Sequence, residues 1–178
     1  MTEYLRRLFI RHEPPVDQVA NVKAGIGAIV GISVVGWLAA ATGKPLLLAP
    51  MGATAALLFG QPSSPLAQPM NVMGGYLVGT IVCEAAFNAF PGLWVAAAIA
   101  VGVTVALMRA IRVTHPPAGA MPILGFGEQL HGLQLFGVMF VSCVVLITLA
   151  LAVHAIPPRR EYPRRLARKA ELAKDPAV

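Results

Sequence analysis

Between Ala24 and Ile156 the chain carries only five formally charged side chains: Lys44, Glu84, Arg109, Arg112 and Glu128. A soluble fold needs a charged, hydrated surface, and this span cannot supply one. Charged residues make up 12% of the whole chain, about half of what a soluble domain carries. The span therefore reads as an all-α polytopic membrane domain over residues 24–156. The net charge of +6 sits mainly at the ends. The first 23 residues hold four Lys/Arg, and "PPRREYPRRLARKAELAK" after Ile156 holds seven. Beside membrane helices such clusters are topology signals rather than nucleic-acid contacts. They place residues 1–23 and the basic tail 157–178 in the cytoplasm, with the domain in a bacterial inner membrane. No short apolar run ends in a small-residue cleavage site near position 20, so a cleaved signal peptide is not expected. In "YLRRLFIRH", Tyr4, Leu5, Leu8 and Phe9 share a helical face suited to the membrane interface.

Crossing a hydrocarbon core of ~30 Å takes about 20 helical residues. Four runs qualify: Ala24 to Thr42, Asn71 to Ala89, Gly92 to Met108 (slightly short, extendable past Arg109) and Gly132 to Ile156. Two more apolar segments are short and broken by proline and glycine. They are "KPLLLAPMGATAALLFG" at 44–60 and "THPPAGAMPILGFG" at 114–127. "PMGATAALLFG" (50–60) aligns without gaps on "PAGAMPILGFG" (117–127), with six of eleven positions identical. Each segment follows a spanning helix and a short cationic linker, and each precedes another spanning helix. The pattern predicts two repeats of helix, Pro-Gly element, helix, over about 24–89 and 92–156.

Topology turns on whether the Pro-Gly elements cross. Fourteen residues of helix reach only ~21 Å, which favours four spanning helices plus two re-entrant half-helices. With six crossings and both termini inside, Arg109 and Arg112 face the cytoplasm and only Lys44 lies outside, as the charge rule prefers. An extended lead-in followed by a half-helix satisfies both constraints. The predicted fold is accordingly an inverted 3+3 arrangement.

Proline suits a first helical turn, so helices are predicted to begin near Pro50 and near Pro116 or Pro117. A helix starting inside the membrane aims unpaired N–H groups and its positive end at whatever lies in front. That favours an anion. Interrupted segments at matching positions of two repeats point to a transport site. The candidate substrate-binding residues are Pro50, Gly52, Ala53 and Thr54 in the first element, and His115, Pro116, Pro117, Gly119 and Ala120 in the second. Gly52 and Gly119 permit close approach, or equally serve helix packing. His115 donates to an anion, titrates near neutrality, or caps its helix and ties the repeats together. Glu84, an ionisable group within a spanning run, is a candidate coupling residue, with Arg109 and Arg112 as candidate gating cations. The two cysteines, Cys83 and Cys143, form no metal-binding pattern. No metal or other cofactor is expected.

"THPPAGA" together with "PMGATAALLFGQPSSPLAQPMNVMGG" resembles the HPP family of small integral membrane proteins. The family takes its name from the triplet found here as His115, Pro116 and Pro117. The resemblance covers roughly residues 20–156. It implies about four spanning helices, fewer than the charge argument gives. It also implies nitrite transport, the role described for members from photosynthetic organisms. The predicted function is membrane transport of a small monovalent anion, most specifically nitrite. The expected partners are that anion, the lipid bilayer and further copies of the chain in a homo-oligomer. The alternatives are a scaffold or sensor subunit that docks through its basic tail, and a channel for a small neutral solute. No catalytic motif of an enzyme is present.

Overall fold

The computed structural model describes residues 2–10, 15, 17–128 and 130–165. All regular structure among these residues is helical. A short α1 (Thr2–Arg7) precedes α2 (Gln18–Thr42). The first Pro-Gly element is α3 (Ala49–Ala55) running into a π turn (Ala56–Gly60). Then come α4 (Pro69–Ala89), α5 (Trp94–Ala110), a 3-10 turn at Pro116–Ala120 leading into α6 (Met121–Glu128), and α7 (Gly132–Ala155). Helices α2, α4 and α7, at 25, 21 and 24 residues, are long and apolar enough to cross a bilayer. α5 is shorter at 17 residues. Leu8 and Phe9 lie beyond the end of α1 and are exposed.

Side-chain contacts fix the direction of each element. Lys23 Nζ near the start of α2 donates to the carbonyls of Ile156 (2.6 Å) and Pro158 (2.8 Å), just past α7. Gly27 faces Val153 and Gly31 faces Leu146, so α2 and α7 run antiparallel. We call the end with Lys23 and Ile156 the terminal end. From Gly43 at the opposite end, residues 44–60 come back. Ser142, midway along α7, donates to Leu46 O (2.9 Å), and His154 Nε2 meets Leu58 O (2.8 Å). α4 then leaves the terminal end, and Glu84 near its far end accepts from Gly132 N (2.6 Å) at the start of α7. α5 returns, and Asn71 near the start of α4 donates to Thr114 O (3.1 Å). α6 follows α4 outward, with Gly75 against Val113 and His115, Gly79 against Ala118 and Met121, and Gly125 against Cys83. The chain thus traverses the bundle six times in alternating directions.

The Pro-Gly elements do traverse, each as an extended lead-in plus a short helix. The 12 residues Ala49–Gly60 rise only about 18 Å as helix; the extended residues before them make up the distance. Three helices are long and apolar enough to cross a bilayer; α5 and the two broken elements are the shorter traverses of the bundle.

α2 starts at Gln18 rather than near Ala24. Asp17 caps it by accepting from Ala20 N (3.2 Å), as an N-cap aspartate does. The basic tail is described only to Arg165, and residues 166–178 lie outside the described residues.

Close packing follows small residues. Gly27 and Gly31 leave a slot on α2 that the Phe59 ring fills; added β-carbons would lie 2.7 and 2.8 Å from it. Gly75, Gly79 and Cys83 recur every fourth residue on α4 and give α6 its track. The core includes Met51, Leu58, Tyr76, Met121, Leu135 and Leu146. Outside, Ile29, Ile99, Ile123 and Phe140 are exposed, as a lipid-facing surface requires. Trp37, Phe90 and Trp94, also exposed, mark the opposite end with aromatics suited to a membrane interface.

α5 ends with Arg112 at φ +62°, the one non-glycine residue with positive φ among the described residues. Val113 N closes back on Met108 O (2.9 Å), a helix ending that favours glycine. Arg112→Gly is expected to stabilise the fold by about 1 kcal/mol, read as a higher midpoint of thermal unfolding in detergent.

Candidate functional site

The site begins with backbone that pairs only in part with itself: in the first lead-in Leu46 N donates to Lys44 O (2.8 Å) and Leu48 N to Leu46 O (3.1 Å). Irregular segments within a membrane bundle must have their polar groups answered by protein or by a wet cavity. In the first lead-in, Ser142 answers Leu46 O; in the second, Asn71 answers Thr114 O. Leu58 O, near the end of the first element, faces Pro62 four residues on, and proline has no N–H to offer. His154 Nε2 takes that place.

Toward the terminal end, the two Pro-Gly elements meet. Thr54 of the first lies against His115 of the second, Oγ1 to Nε2 at 3.0 Å. Tyr76 of α4 joins them, its hydroxyl 2.7 Å from Thr54 Oγ1. His115 Nδ1 lies 2.8 Å from Leu66 O, in the connector between the first element and α4. Thr54 and His115 are fully buried and Tyr76 nearly so. The proton positions follow from chemistry. A carbonyl only accepts, so Nδ1 carries the imidazole hydrogen and Nε2 is the acceptor. Thr54 then donates to Nε2, and Tyr76 donates to Thr54. Pro50 O, at 3.1 Å, offers the Thr54 hydrogen an alternative acceptor. With a neutral imidazole the result is one directed chain, Tyr76 to Thr54 to His115 to Leu66.

Of the residues singled out from sequence, Thr54 and His115 are brought together, with Pro50 and Pro117 buried beside them. Pro116 is exposed, and Gly119 and Ala120 are half-buried. Gly52 and Ala53 are exposed on the single chain. The open side of Gly52 has no atom within 4 Å, while that of Gly119 meets Val105 of α5 at 3.9 Å. The two glycines therefore do not face each other. Helix-start donors are few: Pro50, Pro116 and Pro117 have no N–H. Met51 N is used on Leu48 O (2.9 Å) and Ala118 N on His115 O (3.0 Å). Glu84 caps the start of α7, where a carboxylate suits the helix dipole. It lies eight residues from Tyr76, about 12 Å of helix rise. Arg109 and Arg112 are exposed at the terminal end.

Sequence reasoning missed Tyr76, Ser142 and His154. Tyr76 follows the Gly74–Gly75 pair, and that juxtaposition, small residues beside a phenol in a spanning run, was the available signal. The connector "QPSSPLAQPMN" is ordered around a 3-10 turn at Pro65–Ala67. Tyr162 of the tail donates to Ala67 O (3.0 Å), and Arg164 N donates to the Gln68 side chain (2.8 Å). Burial pushes the Tyr162 phenol above the usual tyrosine range.

With His115, Pro116 and Pro117 at the meeting point of the broken elements, comparison with known proteins gives the decisive match: the family model described as "HPP, transmembrane region" covers residues 13–163. The chain belongs to the HPP family. Two Dictyostelium discoideum proteins, both described as transmembrane proteins, are 32% and 34% identical to this chain over 126 residues. Each alignment spans 66% of this chain but only 44% and 40% of those proteins. The chain thus aligns with less than half the length of the curated relatives it matches. No solved structure matches it. The HPP triplet here does structural service: histidine closes the hydrogen-bonded chain, and the two prolines start the helix behind it.

Proposed function

We propose that this HPP membrane protein transports a small monovalent anion and that nitrite is its substrate. The observation that supports the reading is the meeting of two proline-led broken elements inside the bundle, pinned by the Thr54–His115 contact. Discontinuous helices in corresponding positions are a recurring framework for transport sites. Gly52 and Ala53 are exposed on one chain, and a homo-oligomer encloses them, so that the anion passes along Gly52–Ala53 and Gly119–Ala120 with His115 behind it. Glu84, Arg109 and Arg112 set the field at the two ends of the path. Lys23, Arg109, Arg112 and Arg160 lie at the terminal end, and in this reading that end faces the cytoplasm, as the charge rule prefers, in a bacterial inner membrane. The role is non-enzymatic.

The test is flux into liposomes containing only this protein, comparing nitrite, nitrate, formate and chloride under an imposed potential. Nitrite-selective flux that falls at least tenfold in correctly inserted Thr54→Val protein is the expected result. Absence of flux for every anion, from protein shown to be folded, overturns the reading in favour of a scaffold or sensor subunit. Osmotic swelling without current overturns it in favour of a neutral-solute channel.

A further inference from the structure

A cavity of about 660 Å³ opens at the terminal end, between the start of α2, the end of the first Pro-Gly element and the end of α7. Its walls mix polar and apolar groups: Lys23, Arg160, His154 and Ser64 face it together with the Asp17 carboxylate and the Phe59 ring. Beside it runs an apolar groove of similar volume along α2 and α7, lined by Val19, Val22, Ile26, Val30 and Ile156. The two spaces adjoin, since Lys23, Val153 and Pro158 line both. A chamber with two cations, set beside an apolar trough on the lipid-facing surface, matches an amphiphile bearing negative charge.

His154 adds a second observation. It is 3% exposed and lines the chamber. Its Nε2 hydrogen is committed to Leu58 O, because a carbonyl needs a donor. Its Nδ1 is buried and has no partner. A buried, unpaired acceptor calls for a hydroxyl or a water. A phosphate beside Lys23 and Arg160 with a hydroxyl-bearing headgroup meets both demands. Basic pockets between membrane helices at the cytoplasmic face bind lipid headgroups by the same physics. Acyl carbons lying on Val22, Ile26 and Val30 gain apolar contact at no cost in polar groups.

We propose that this chamber and groove bind one anionic phospholipid, of the phosphatidylglycerol type. The phosphate sits at Lys23 and Arg160, a headgroup hydroxyl donates to His154 Nδ1, and one acyl chain lies between α2 and α7. The inference is independent of the anion site, which lies at the Thr54–His115 contact.

The test is native mass spectrometry of delipidated protein titrated with phosphatidylglycerol, phosphatidylcholine or glycerophosphoglycerol, the soluble headgroup without chains. The expected result is at least fivefold greater retention of phosphatidylglycerol than of phosphatidylcholine. That preference should be lost in Arg160→Glu and the phosphatidylglycerol retention cut at least fivefold in Val22→Trp, which fills the groove. Arg160 and Val22 are both exposed, so both variants retain the fold, checked by their unfolding midpoints. Equal retention of the two lipids overturns the proposal. Retention of glycerophosphoglycerol equal to that of the lipid also overturns it, and assigns the chamber to a soluble phosphorylated compound. Unchanged retention in Val22→Trp removes the groove from the site and overturns it likewise.

Discussion

His115→Ala is expected to lower the stability of the folded protein by about 3–5 kcal/mol, from the void left by a buried ring and from the carbonyl left unpaired. Leu66 O loses its donor, and the Thr54 hydroxyl falls back on Pro50 O. The connector between the first element and α4 then has nothing to hold it against the second. His115→Asn is the informative companion. Its amide nitrogen takes roughly the place of Nδ1 and keeps Leu66 O satisfied, so its cost should be about 1–2 kcal/mol, mainly one lost hydrogen bond. Thermal unfolding in detergent, followed by loss of monodisperse protein, measures both. Equal stability of the alanine variant and the parent would refute the hydrogen-bonded chain as a structural tie.

Gly79→Ala is the second large effect. A β-carbon there would sit 2.6 Å from the backbone oxygen of Ala118, and 3.1–3.2 Å from Met121 side-chain atoms. The methionine can move; the carbonyl belongs to the turn that carries His115 and cannot. The variant should lose about 3 kcal/mol, the upper part of the range for overpacking. It should also push the 3-10 turn off α4 and lengthen the Thr54–His115 contact. Gly102→Ala, on the outer side of α5 where no atom lies within 4 Å, is the control. It should be neutral or gain up to about 1 kcal/mol, as glycine in a helix usually does. Comparable losses in the two variants would show that helix propensity rather than close approach governs both.

The helices were legible because bilayer length and the scarcity of charge leave little choice. Three cations, Lys44, Arg109 and Arg112, favoured six crossings against the shortness of the broken elements; the structure has six traverses of the bundle, of which three are helices long and apolar enough to cross a bilayer. Thr54 and His115 could be named one by one from proline-led starts, but not paired. Their aligned repeat partners are Met121 and Leu48, so symmetry hid the contact between them. Tyr76 and His154 escaped because a polar side chain within an apolar run shows no partner in sequence. Their partners are a threonine hydroxyl 22 residues upstream and a carbonyl 96 residues upstream. The earlier start of α2 depended on Asp17 and on Lys23 reaching the end of α7, contacts that a hydropathy run does not register.

The carbonyls of Leu46 and Leu58 bear on how the protein is made. Both lie in the second traverse, and the side chains that answer them, Ser142 and His154, each come 96 residues later. While the ribosome is still working on the middle of the chain, Leu46 O has only the local bond from Leu48 N (3.1 Å), and Leu58 O lacks the imidazole that answers it. A short, interrupted segment in that condition gains little from lipid. It is therefore expected to wait at the membrane surface until the last helix arrives, and then to enter with it. Truncation before Ser142 should leave this stretch accessible to water-soluble labels, while the helix before it is already embedded.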